Sequence, residues 1–168
     1  MPPGLTTDGL LGKRYFARFV DSLIIIVLIV VAGALLALLL TPFLRGGYVL
    51  SPIRFAIAAV VWIGYEALLE SSRWQATVAK RVFGLRVYDS QGGRLTLRQA
   101  AARNLIKDGP FIALSVFATT FPLNLLPFAL LAAHAVVIYG SPVNQAIHDR
   151  VARTWVAAPE ETTELHLT

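Results

Sequence analysis

The chain has 168 residues, 56% of them hydrophobic and only 15% charged, with a net charge of +5 and no cysteine. That is room for one domain, too apolar for a water-soluble globule, and without cysteine there is no disulfide framework, thiolate nucleophile or Cys-type zinc site. The basic balance is that of loops flanking membrane segments, so a lipid bilayer is the expected partner and nucleic acid is not.

Met1 to Leu11 holds two prolines, two glycines and two threonines, and residues 1–12 are expected to be disordered. Gly12-Lys13-Arg14 then gives a positive flank, and Tyr15 and Phe16 suit the headgroup level. From Phe16 to Leu40 the chain predicts a membrane helix. Leu23 to Leu40 is eighteen apolar or glycine residues without a charge, enough to span a bilayer. No small-residue cleavage site follows it, so this helix is expected to stay as an anchor. At its start Arg18 and Asp21 lie three residues apart, on one face, where they can pair. Charges at a membrane boundary mark a site or a structural clamp.

Gly46-Gly47 reads as a turn. Ser51-Pro52 looks like an N-cap followed by proline at the first helical position, which opens a second membrane helix to about Leu69. Glu66 and Glu70 share a face near its inner end. Trp62 and Tyr65 read as lipid-facing or packing residues.

Glu70 to Gly109 is the hydrophilic centre. It carries Arg73, Lys80, Arg81, Arg86, Arg94, Arg98, Arg103 and Lys107 against Glu70, Asp89 and Asp108. The preceding loop has the single charge Arg45, so this central loop should be cytoplasmic. Gly84 to Asp89 alternates like a short strand, and Ser90-Gln91-Gly92-Gly93 is turn chemistry. Thr96 can cap a helix with Leu97, Ala101, Leu105 and Ile106 on one side and Arg98, Arg103 and Lys107 supplying positive charge. Such a basic amphipathic helix can lie on an anionic leaflet or pack on the inner ends of the membrane helices. The tether at both ends favours packing.

Phe111 to Tyr139 is a second long apolar stretch, interrupted by Pro122, Asn124 and Pro127. It reads as one kinked helix or as a hairpin of two; the hairpin is favoured, because it returns the C-terminus to the cytoplasmic side with the N-terminus, where Asp149 can meet Arg18 and Asp21. His134 in this stretch reads as a buried, hydrogen-bonded side chain. Beyond Gly140-Ser141-Pro142, Arg153 to Val156 alternates like a strand. Residues 158–168, acidic with Glu160, Glu161 and Glu164, are expected to be disordered.

Four fragments in this order resemble the RDD family of small prokaryotic membrane proteins: Arg18 with Asp21, Ala76 to Val87, Arg103-Asn104, and His148-Asp149-Arg150-Val151-Ala152. The family is named for one arginine and two aspartates, which match Arg18, Asp21 and Asp149. Ala79 stands where the family usually has a glycine before lysine, and Arg153 where its last motif usually has a glycine. The second departure adds a cation near Asp149. The resemblance covers about Lys13 to Val156. It implies a multi-pass membrane protein, and it brings with it the transport role, including cation/proton exchange, proposed for members.

No nucleophile–base pair, phosphate loop or metal-ligand spacing stands out, so neither an enzyme nor a cofactor is expected. A transport path would need ionisable residues near the midplane, and Asp21, Glu66, Asp149 and His134 are the candidates. Most of them lie towards the inner interface, which favours a clamp.

The expected fold is an all-α membrane domain over residues 13–157. It has three to four transmembrane segments, a small cytoplasmic strand pair and an amphipathic helix. Its charged cluster is Arg18, Asp21 and Asp149, with Glu66, Glu70, Arg103, His148, Arg150 and Arg153 in support. Asp149 and Asp21 are expected around Arg18, with Arg150 or Arg153 balancing the second carboxylate and Thr154 to Val156 paired with Leu85 to Tyr88. The role expected is a structural or assembly module of the cell membrane, with a homo-oligomer or another membrane protein as partner. The alternative is a small ion or solute transporter.

Overall fold

A computed structural model describes residues 1–40, 50–118 and 145–159. The apolar run dictates its longest element, α1 (Leu11–Leu40). At about 1.5 Å per residue these thirty residues reach roughly 45 Å, longer than a hydrocarbon core of about 30 Å. Leu23 to Leu40 supplies the spanning part, and the polar first turns stand at one end. Among the described residues α1 is the one helix long and apolar enough to cross a membrane. Its large side chains face outward, Val27, Val30, Leu35, Leu38 and Leu39 among them. In water that surface would be a severe cost; against lipid tails it is the expected exterior.

The second helix, α2 (Leu50–Glu70), starts beside the predicted cap and runs one residue past the predicted end. A short helix, α3 (Val78–Val82), follows. Thr77 caps it, accepting the Lys80 N–H at 3.4 Å. Gly84, at φ +72°, reverses the chain into β2 (Arg86–Tyr88). Helix α4 (Leu97–Ala118) is capped by Thr96, whose hydroxyl accepts the Gln99 N–H while the Gln99 side chain accepts the Thr96 N–H. It continues unbroken through Pro110, so the amphipathic segment and the start of the next apolar stretch are one helix. The choice between a kinked helix and a hairpin, and His134 with it, falls outside the described residues. The chain is back at the polar end of α1 in α5 (Ile147–Val151) and β3 (Trp155–Pro159).

Two expectations need correction. The N-terminal residues 1–12 are ordered: Leu5–Thr6 forms β1, and Leu5, Thr7 and Leu10 are buried. Backbone pairing with β3 holds this strand, and glycines at φ +76° (Gly4) and +66° (Gly9) make the turns on either side of it. The sheet is therefore three-stranded rather than a pair, in the order β1-β3-β2, antiparallel throughout. Its β2–β3 register pairs Val87 with Val156 and Tyr88 with Trp155, inside the span expected for that pairing. Ala158 and Pro159 belong to β3, so the predicted disordered tail begins too early; residues 160–168 lie outside the described ones.

The second correction concerns α4. The side that carries Leu97, Leu105 and Ile106 is exposed, while Ala100, Arg103, Asn104 and Asp108 are buried. The helix packs on α2 as expected, but through its polar face. Arg103, Asn104 and Lys107 turn towards the carboxylates of α2, and the apolar side is left facing outward.

An apolar core of Leu10, Ala17, Ala67, Ala79, Leu85, Val87, Leu95, Ala100 and Val156 lies under the sheet. It ties the start of α1 to the end of α2 and the start of α4. Because β1, β2 and β3 share one sheet, the N-terminal, central and C-terminal segments stand at the same end of α1. The chain has no native cysteine, which allows a clean test. Ser90→Cys and Arg150→Cys, both exposed positions, should react with an impermeant maleimide from the same side. Labelling from opposite sides would contradict this arrangement.

Candidate functional site

Helices α2 and α4 run antiparallel, and each presents two charges one turn apart. On α2 these are Glu66 and Glu70; on α4 they are Arg103 and Lys107. They meet as two rungs. In the outer rung, Arg103 Nη1 donates to Glu70 Oε1 and Oε2 at 3.0 and 2.8 Å. Asn104 Nδ2 adds a bond to Oε2 at 3.1 Å, and Lys80 Nζ from α3 donates to Oε1. In the inner rung, Lys107 Nζ and Arg18 Nη1 both donate to Glu66, one to each carboxylate oxygen. Arg18 Nη2 also donates to Asp108, and its guanidinium lies 5.5 Å over the Trp62 ring.

Asp149, on the first turn of α5, closes the outer rung from the other side. Its Oδ1 accepts from Arg103 Nε at 2.9 Å and Nη2 at 2.7 Å, and its Oδ2 from Arg14 Nη2 at 2.9 Å. His148 Nε2 stands 3.3 Å from Oδ1. Arg103 is thus a bridge between two carboxylates, Glu70 and Asp149, and all three are buried. Burial pushes the Asp149 carboxyl up. Arg103, then His148 and Arg14, outweigh that and hold it well below the usual carboxylate range.

Asp21 stands apart from the rungs. It is buried, and its donors are neutral: Tyr65 OH at 3.0 Å, the Thr77 hydroxyl, and the Ala79 N–H at 3.2 Å. It fastens α1 to α2 and α3 without an ion pair among the described residues.

Set against expectation, the structure brings Arg18, Glu66, Glu70, Arg103, His148 and Asp149 into the two rungs, and it places Asp21 beside them. The arrangement around Arg18 differs. Arg18 pairs with Glu66 and Asp108 rather than with Asp21 or Asp149. The reason is spacing: residues three apart on a helix point roughly 60° apart. Here Arg18 turns to Glu66 of α2 and Asp108 of α4, and Asp21 to Tyr65 of α2 and the start of α3. Arg14, one turn earlier, takes the place expected of Arg150 or Arg153, both of which are exposed. Arg153 sits at φ +53°, the left-handed region that favours glycine. Ala79, the other departure, is helical and buried, so no glycine is needed there. Tyr65 and Trp62 belong to this site and not to a lipid face.

The sequence reading also missed Arg14, Lys80, Asn104, Lys107 and Asp108. The available signal was the complementary spacing: two carboxylates four apart on α2 facing two cations four apart on α4.

As chemistry, the arrangement is a set of buried, paired charges. No group of histidine and acidic side chains positioned to hold a metal ion occurs among the described residues. A cavity of about 530 Å³ is lined by Met1, Gln91, Gln145, Arg150 and Trp155 among others, and none of the network residues line it. The model of the RDD family matches residues 9–153 of the chain. No curated protein and no solved structure matches it.

Proposed function

The chain belongs to the RDD family of small membrane proteins, and on that premise we propose that it is a multi-pass protein of the cell membrane whose charged network is a structural clamp. The N-terminus, central loop and C-terminus lie on the cytoplasmic side in this reading, because the exposed arginines of the central loop follow the positive-inside bias. The clamp locks the inner ends of α1, α2 and α4 to the sheet and so presents a fixed cytoplasmic face. The role is a structural or assembly module, with a second copy or another membrane protein as partner and no catalytic activity of its own.

One observation carries this reading: Glu66, Glu70, Asp108 and Asp149 are each bonded to a cation, at one end of α1. Buried charges that are fully paired resist exchange of protons or ions. A second reading, a small cation or solute transporter, is favoured by Asp21 alone. A buried carboxylate held by neutral donors is the group in this set that could pass a proton or a cation. Proteoliposome flux assays separate the two. The clamp reading expects no cation or proton flux above empty vesicles, and no change on Asp21→Asn. Flux in the wild type that Asp21→Asn abolishes at equal protein abundance would establish the transporter.

A further inference from the structure

The cations of the clamp have carboxylate partners. A second group of cations does not. Arg73 and Trp74 lie in the turn after α2, Arg81 on α3 and Arg86 on β2, and these four residues line a cleft of about 190 Å³. The chain reversal at Gly84 and the left-handed Gln75, at φ +51°, bring them together. No carboxylate lies within ion-pair distance of Arg73, Arg81 or Arg86 among the described residues. The Arg81 guanidinium stacks 4.4 Å over the Trp74 ring, which fixes one wall of the cleft. Three guanidiniums gathered without a counter-charge repel one another, and a bound anion would relieve this.

The depth of the cleft indicates what the anion is. Helix α3 carries Arg81 and also exposes Val78 and Val82. Phe83, just after it, meets Phe16 of α1 edge-on, with ring centroids 5.4 Å apart. Phe16 and Phe19 are themselves exposed, at the polar end of the spanning run. Exposed aromatic rings at that end of a membrane helix mark the interface, where headgroups lie. Exposed valines beside arginines are at home at that depth and not in water. Guanidiniums bind phosphate oxygens in bidentate fashion, and Trp packs against the glycerol region of a lipid.

We propose that Arg73, Arg81 and Arg86, with Trp74, form a binding site for the phosphate of an anionic lipid headgroup in the leaflet at the polar end of α1. The site is separate from the clamp and shares no charged residue with it.

The test uses the purified full-length chain and titrates phosphatidylglycerol into protein in phosphatidylcholine nanodiscs, reading bound lipid by native mass spectrometry. The combined variant Arg73→Gln, Arg81→Gln and Arg86→Gln should bind phosphatidylglycerol about tenfold or more weakly than the wild type. The single variant Arg86→Gln, on an exposed strand position, should lose a fewfold and serves if the combined variant does not fold. The control Arg94→Gln with Arg98→Gln removes two exposed charges elsewhere in the same loop and should bind as the wild type does. Wild-type affinity in the combined variant, or in Arg86→Gln where that is the variant that folds, would overturn the proposal. So would an equal loss in the control, which would mean diffuse attraction without a site. Inorganic phosphate alone should compete poorly; if it displaces the lipid at equal concentration, the site takes a free phosphate and the lipid assignment fails.

Discussion

Asp149→Ala should remove most of the folded protein. The carboxylate is buried and is the common acceptor of Arg103 and Arg14, which come from two different helices. Deleting it leaves Arg103 leaning on Glu70 alone and Arg14 without this partner, in a site closed to water. Breaking a buried pair by removing one member typically costs about 3–5 kcal/mol, a large part of a total stability of about 5–15 kcal/mol. Asp149→Asn keeps the shape and one acceptor oxygen, so it should fall between the two. The measurement is monodisperse protein recovered in detergent, together with its melting temperature. Wild-type yield for Asp149→Ala would show that the network is ornamental. The pH dependence follows from the same pairing. The folded-state pKa of Asp149 is depressed, so its contribution is fully present above its unfolded value of about 4 and is lost as pH falls from there towards the folded value.

Glu66→Ala should be nearly as damaging, and Arg18→Ala much less so, although the two side chains bond to each other. Glu66 is buried and is the acceptor for both Lys107 and Arg18. Its removal leaves Lys107, between α2 and α4, with the longer 3.4 Å contact to Asp108 as its remaining carboxylate. Arg18 is about a third exposed, at 34% of its side-chain surface, and it rests on Trp62. Without it, Glu66 still has Lys107, Asp108 keeps Lys107 at 3.4 Å, and water or headgroups can reach the gap. A loss of roughly 3 kcal/mol or more for Glu66→Ala against about 1 kcal/mol for Arg18→Ala is the expected order. It would be read from thermal melts in one detergent. Equal losses would mean that the inner rung is no more buried than its exposed member.

The long helix was legible because eighteen uncharged residues admit few other readings. The Gly84–Asp89 strand, its turn and the Thr96 cap were legible because each is a local pattern of side chains. In that turn the Asp89 carboxylate takes the N–H groups of Gln91 and Gly93, at 2.8 and 2.7 Å, which is turn chemistry written into adjacent residues. Strand β1 left no such mark, since a two-residue strand is held through its backbone and needs no alternation of side chains. The partner of Arg18 was illegible for another reason. Asp21 is its nearest carboxylate along the chain, but packing put Glu66 and Asp108 closer in space. The basic central loop carried two meanings at once. Lys80 and Arg103 are buried and Lys107 is half-buried, each paired with a carboxylate, while Arg73, Arg81, Arg86, Arg94 and Arg98 are exposed. A count of charges cannot divide them; the carboxylates four residues apart on α2 do, once α4 is laid antiparallel to them.

The most direct test of the clamp is a pair of double-mutant cycles on melting stability in detergent, with alanine at Arg103 and Asp149 in one cycle and at Arg18 and Asp149 in the other. Mild substitutions at the same positions, Arg103→Gln and Asp149→Asn, keep the cycle measurable if the alanine variants fall below detection. Arg103 and Asp149 share two hydrogen bonds, so their cycle should depart from additivity by about 1–3 kcal/mol, whereas Arg18 and Asp149, bonded to different partners, should add within about 0.5 kcal/mol. Additivity for Arg103 with Asp149, or strong coupling between Arg18 and Asp149, would contradict the network described here.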